Sequence, residues 1–227
     1  MDGPIRIFVG TCDGMEKSDL ALHWSVHKHS TLPYEITFMH AHKEGTPWQG
    51  WSIGRGPLEP YSKGWATDFT CFRWAIPEAA GFEGRGIYVD TDMVFLKDPA
   101  ELWNTEMTHP CMAVPRADVI LFNCADPFWS GECWPDLDKM RRSGWMVPRY
   151  KKLVKEHSAL GPLSPKWNCM DGRGMSQETC LYHWTDMRRQ PWKPFPGRFR
   201  YPDHPNADLF WQYYEEAKEN MEALQRA

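Results

Sequence analysis

Two apolar runs flanking one helical stretch, close to the N-terminus, constrain the fold of this chain most. Ile5-Arg6-Ile7-Phe8-Val9-Gly10 is mostly apolar and closed by glycine, which reads as a buried strand. A helix follows over residues 16–29, with Leu20, Ala21 and Trp24 at helical spacing. Pro33 ends the turn after it, and residues 34–39 read as a second strand. Strand, helix and strand in that order predict an α/β domain with parallel pairing, because parallel neighbours need a crossover connection. With 227 residues the chain suits one domain and can bury a substantial core.

The rest of the chain continues the alternation. Residues 42–63 are rich in Gly, Pro, Trp and Ser without periodicity and read as a long binding loop. Residues 66–76 read as a helix with Phe69, Phe72, Arg73 and Ile76 on one side, stopped by Pro77. Gly86-Ile87-Tyr88-Val89 is a short apolar run that leads straight into Asp90-Thr91-Asp92. A short helix is expected over 99–103, strands over 111–114, 119–122 and 179–183, and a helix over 149–157. Residues 195–205 form a Pro- and Arg-rich connection. The tail, 205–227, is amphipathic, with Phe210, Tyr213, Tyr214, Ala217, Met221 and Leu224 on one helical face that suits packing against the body. No internal repeat or low-complexity segment interrupts the pattern.

Composition narrows the function. A hydrophobic content of 42% with charges of both signs fits a folded globular chain. The net charge of -4 gives no reason to expect a nucleic-acid partner, although local basic residues and a metal can still hold a phosphorylated ligand. Seven cysteines, an odd number with no C-x-x-C pair, argue against a zinc ribbon or a disulfide scaffold and for reduced thiols in a cytoplasmic setting. No stretch is apolar for long enough to span a bilayer, and Met1-Asp2-Gly3-Pro4 lacks the basic start of a signal peptide. The 13 tryptophans are many for this length. Those in Pro47-Trp48-Gln49-Gly50-Trp51 and Gln190-Pro191-Trp192 either stack on sugar faces or anchor packing.

Asp90 and Asp92 sit two apart at the carboxyl end of an apolar strand, so both point the same way. Paired carboxylates there present hard oxygen ligands to Mn2+ or Mg2+, at the strand end where open α/β sheets bind ligands. Such an ion would hold the diphosphate of a nucleotide sugar and supply Lewis-acid stabilisation to the leaving group. A lone D-x-D is also compatible with a solvated turn; the apolar run feeding into it is what distinguishes this one.

Taken in order, the surrounding residues are Phe69-Thr70-Cys71-Phe72-Arg73, Ile76-Pro77, Ile87-Tyr88-Val89-Asp90-Thr91-Asp92 and Asp98-Pro99-Ala100-Glu101-Leu102-Trp103. This order resembles that of glycosyltransferases with the GT-A fold, and is most similar to family 8 and to bacterial and viral relatives that join sugars to glycans or lipids. The likeness runs through most of the chain, with 69–103 its most specific part. It implies an α/β fold, a single Rossmann-like GT-A domain over 1–227 with a mixed, mostly parallel central sheet flanked by helices. Residues 1–125 would form the nucleotide-sugar-binding half and 126–227 the acceptor-side and C-terminal half.

The resemblance also implies roles. Asp90 would meet the ribose and the metal, and Asp92 the metal. Arg73 would bind the donor's sugar or diphosphate, which suits a guanidinium. Gly10, Thr11 and Asp13 would line the base and ribose pocket. Leu181-Tyr182-His183-Trp184-Thr185-Asp186-Met187 and the residues after it resemble the family's H-x-x-G-x-x-K-P-W motif. His183 matches the histidine, implying a third metal ligand, and a neutral imidazole beside two carboxylates suits Mn2+. Asp186 stands at the glycine, Arg189 at the lysine, and one extra residue precedes Pro191-Trp192, so the diphosphate cation is Arg189 or Lys193. Val119-Ile120-Leu121-Phe122-Asn123 resembles the stretch lining the donor sugar, with Arg116 and Asp118 where the family has asparagine and glycine. Asp118, and Asp171 in a polar turn beside Gly172, are candidates for the acidic residue near the reacting carbon. Family-8 likeness implies retention; an inverting enzyme would need one of these carboxylates as base.

The expected activity is metal-dependent transfer of a hexose from a nucleotide-diphosphate donor, a UDP-sugar for preference, to a glycan, lipid or other hydroxyl acceptor. A phosphohydrolase with an aspartyl nucleophile fits less well, because such enzymes carry D-x-D on the first strand. A non-catalytic carbohydrate-binding protein, with Asp90 and Asp92 holding a structural cation, is the alternative, and donor turnover separates the two.

Overall fold

The computed structural model describes residues 3–40, 44, 46, 48–49, 69, 72–138 and 147–226. The chain opens with β1 (Ile5–Gly10), α1 (Glu16–His29) and β2 (Tyr34–Met39), where the apolar periodicity places them. A 3-10 turn, Phe72–Ala75, runs into the short α2 (Ile76–Ala79). Then come β3 (Arg85–Asp90), β4 (Met93–Phe95), α3 (Pro99–Trp103), β5 (Cys111–Ala113), β6 (Val119–Asn123) and α4 (Pro127–Ser130). The remainder holds α5 (Val147–Glu156), β7 (Leu160–Pro162), β8 (Cys169–Met170), β9 (Leu181–His183), α6 (Ala207–Glu219) and α7 (Met221–Leu224).

Among the described residues, six strands form the central sheet in the order β2-β1-β3-β6-β5-β7. β1 pairs in parallel with β2 and β3, and β5 with β7, while β3–β6 and β5–β6 are antiparallel. The sheet is therefore mixed with parallel pairings in the majority. Alternate side chains of its central strands fill two cores. Phe8, Tyr88, Ile120 and Phe122 join Trp74, Trp129, Trp134 and Tyr150 on one face. Ile7, Val9, Ile87, Val89, Val119 and Leu121 meet Leu22, Val26 and Leu102 on the other. Burial on both faces explains why β3 and β6 read as near-continuous apolar runs.

A second, three-stranded sheet, β4-β9-β8, sits at the carboxyl end of β3. Its strands are two or three residues long, too short to show a period in sequence, so β4, β8 and the edge strand β7 go unpredicted. Pro77 does not stop a helix over 66–76: it occupies the first turn of α2, where a missing N–H costs nothing. Most of 66–71 lies outside the described residues, as does the stretch 42–63 apart from residues 44, 46, 48 and 49. The C-terminal helix is broken at Asn220 and packs on α1 through Trp24 Nε1, which donates to Glu216 Oε2 at 2.8 Å, and the Lys28–Glu216 ion pair at 2.7 Å. Trp192 is buried against Trp184 and Phe210, so this tryptophan anchors packing. No disulfide joins the described cysteines, and burial pushes the Cys124 thiol up to about 12. Among the described residues no helix is long and apolar enough to cross a membrane.

Candidate metal centre

β3 ends on Asp90, the chain turns at Thr91, and β4 begins just past Asp92. β4 pairs with β9 so that Met93 lies opposite His183, which brings a distant imidazole next to Asp92. Trp184 N donates to Asp92 O at 2.9 Å and Thr91 N to Gly10 O at 3.1 Å, pinning the D-T-D turn to both sheets. One ligand atom each from Asp90, Asp92 and His183 lies within 4.8 Å of the others, and all three residues are buried.

The polar neighbours of this trio are specific. Arg73 Nη2 donates to Asp90 Oδ1 at 2.9 Å, and the Tyr88 hydroxyl donates to the same oxygen. The Arg73 guanidinium lies over the Tyr88 ring, donates to Ala117 O, and has Nη1 3.7 Å from Asp118 Oδ1. Arg73 is 2% exposed, and its guanidinium is held against the Asp90 carboxylate. His183 Nε2 is 3.1 Å from Asp92 Oδ1, but among the described residues no donor is aligned on that oxygen. Its partner Oδ2 accepts from Gln190 Nε2 at 2.8 Å. Asp118 closes the group, with Asp118 Oδ2 3.1 Å from Arg116 Nε.

Electrostatics test the fit to a cation. Buried Asp90 and Asp118 both lie against the buried Arg73 guanidinium, and the third buried carboxylate, Asp92, lies against His183. Burial raises the Asp90 carboxyl to about 6; Arg73 opposes this, while Asp118 and Asp92 add to it. Burial alone lowers the His183 imidazole, yet Asp92, Asp118 and Asp90 outweigh it and hold the group above its ordinary value. An excess of converging negative charge, a carboxylate oxygen without an aligned donor and an adjacent imidazole are the donor set a hard or borderline divalent cation takes. The residues therefore fit Mn2+ or Mg2+.

The other sequence candidates fall around this centre. Gly10 pairs with Asp90 across β1 and β3, and a Cβ on it would come within 2.6 Å of both the Tyr88 hydroxyl and Phe69. Any larger residue would push away the tyrosine that holds Asp90. Thr11 Oγ1 donates to Asp19 Oδ2 at 2.9 Å, while exposed Asp13 pairs with His40 Nε2 at 3.1 Å. Arg189 Nη2 donates to Asp203 O at 2.6 Å. Arg189 and Lys193 line a cavity of about 160 Å³ with Gln190, Tyr201, His204 and Trp211. Asp171 N donates to His183 O at 2.8 Å, but its carboxylate is turned to Thr185, accepting from Thr185 N at 2.9 Å and Thr185 Oγ1 at 2.5 Å, with φ 52 at its own backbone.

Three polar residues of the site escape sequence reasoning. Asp19, in the first turn of α1, accepts from the hydroxyls of Thr11 and Thr91. Asn168 Oδ1 is 2.8 Å from His183 Nδ1. Gln190 is the extra residue before Pro191-Trp192; that irregular spacing was the only signal that pointed to it.

The structure is similar to that of the galactosyltransferase LgtC in complex with donor and acceptor sugar analogs, with a TM-score of 0.60 and 14% identity, covering 93% of this chain and 96% of that one. The chain has the GT-A fold. The glycosyltransferase GlyE of Streptococcus pneumoniae TIGR4 matches at a TM-score of 0.59 and 13% identity over 93% of this chain and 61% of its own. The bifunctional glycosyltransferase WbbM matches at 0.57 and 12% over 94% of this chain and 52% of its own. In sequence, Protein CDI of Arabidopsis thaliana is 26% identical over 196 residues, covering 74% of this chain and 70% of that protein. No family model matches the chain.

Proposed function

We propose that this chain is a metal-dependent glycosyltransferase that uses a nucleotide-diphosphate sugar, with a UDP-sugar the donor to test first and a glycan or lipid-linked hydroxyl as acceptor. The observation that carries the reading is the convergence of Asp90, Asp92 and His183 at the carboxyl end of β3, within a GT-A fold. Asp90, Asp92 and His183 would hold Mn2+ or Mg2+, which when bound supplies Lewis-acid stabilisation of a departing diphosphate.

The chain's own residues do the rest. Arg73 and Tyr88 hold Asp90 in one orientation, so that it enters the site without rearrangement. Gly10, Thr11 and Asp13, at and just past the carboxyl end of β1, would meet the base and ribose. Arg189 and Lys193 line the cavity beside Gln190 and would supply positive charge to phosphate oxygens. In this reading residues 1–125 bind the donor and 126–227 complete the acceptor side. Asp118, inside the cluster, suits the acidic role near the reacting carbon better than Asp171, whose carboxylate is taken up by Thr185.

A panel of nucleotide sugars incubated with purified protein and Mn2+ tests this. Release of nucleoside diphosphate from at least one donor, dependent on Mn2+, is the expected result. Absence both of turnover and of Mn2+-dependent nucleotide binding across the panel would overturn the enzyme reading.

A further inference from the structure

The hydrogen-bond polarity around His183 can be followed from one end. The Asp118 carboxylate accepts and, when ionised, cannot donate. Asn168 Nδ2 donates to Asp118 Oδ2 at 3.4 Å, so the amide oxygen of Asn168 faces the other way. That oxygen lies 2.8 Å from His183 Nδ1, and it too can only accept, so Nδ1 carries the proton. In a neutral imidazole the lone pair is then on Nε2, the nitrogen 3.1 Å from Asp92 Oδ1. A lone pair and a carboxylate oxygen repel at that distance unless positive charge lies with them.

We propose that Asn168 is a positioning residue: anchored by Asp118, it holds His183 in the Nδ1–H tautomer and so aims the Nε2 lone pair at the cation site. The backbone sets Asn168 for this task from two sides. It ends the 3-10 turn Pro165–Trp167, where its N–H donates to Pro165 O at 3.0 Å. It directly precedes β8, whose pairing puts Met170 opposite His183. The inference gives Asp118 a second duty and a physical reason to stand where the resembling family has glycine. It rests on the metal-site reading above for its consequence, though the tautomer itself is a property of the metal-free chain.

Two measurements test it separately. Long-range proton–nitrogen NMR correlations on metal-free, 15N-histidine-labelled protein, above the pH at which the imidazole titrates, should show His183 protonated on Nδ1. Free histidine favours Nε2–H instead, and Asn168→Leu should move His183 toward that form. Titration with Mn2+ alone should then show about a 10–100-fold loss of affinity in Asn168→Leu. A wild-type His183 protonated on Nε2, or Asn168→Leu binding Mn2+ as tightly as wild type, would overturn the proposal. The wild-type tautomer decides even if the leucine variant fails to fold. Failure of wild type to bind Mn2+ counts against the metal site itself and not against the tautomer.

Discussion

Gln190 is fully buried, and its amide donates to two oxygens that can only accept, Asp92 Oδ2 at 2.8 Å and Trp184 O at 2.9 Å. Gln190→Leu removes that donor from both, and we expect it to cost about 1–3 kcal/mol by chemical denaturation and to weaken Mn2+ binding about tenfold or more. Asp19 sets a pH dependence. Burial raises its carboxyl from 3.8 to about 6, with the hydrogen bonds from Thr91 and Thr11 pulling the other way. The folded chain thus binds this proton more tightly than the unfolded chain, so stability falls as pH rises through that window. Asp19→Asn removes this contribution, on the order of 2 kcal/mol in total for a partly solvated group, and leaves that of Asp90 in place. Urea unfolding at several pH values, compared with wild type, checks this. Asp90, Asp92 and His183 were legible in the sequence because two share a strand period and the third sits in a recognisable motif. Asn168, Asp19 and Gln190 were not, because each acts on a residue far along the chain and its own neighbours carry no periodic signal.

The elements that carry the ligands depend on packing from elsewhere. β9, only three residues long, is braced by Trp184, which meets Phe210 of α6 edge to face at 5.7 Å between centroids. Phe210 is 1% exposed and also packs on Trp192 at 4.6 Å. We expect Phe210→Ala to lose about 3–5 kcal/mol in denaturant unfolding. Gly14 ties the first turn to the same region: its φ is +87, and a Cβ would meet Pro194 O at 2.6 Å. Long periodic elements such as α1 and β1 were readable from side-chain spacing alone. β4, β8 and β9 depend on one another, and pairing between short strands becomes visible only when the chain is folded.

At the scale of the molecule, parallel pairing of β1 with β2 and β3 places Gly10, Met39 and Asp90 at one end of the sheet. Open α/β sheets bind ligands at that end. The alternation of strands and helices was enough to foresee this, since right-handed crossovers leave few other arrangements. The antiparallel insertion of β6 and the separate three-stranded sheet were not foreseeable from local pattern, because both are set by contacts distant in sequence. Asp90, Asp92 and His183 make up the proposed cation site. It is tested most directly by counting Mn2+ uptake, from the loss of the free-ion paramagnetic resonance signal, in wild type and Asp92→Asn with and without nucleoside diphosphate. The expected result is uptake by wild type, strengthened by the nucleotide and lost in Asp92→Asn while that variant remains folded. Equal Mn2+ uptake by Asp92→Asn and wild type would contradict it.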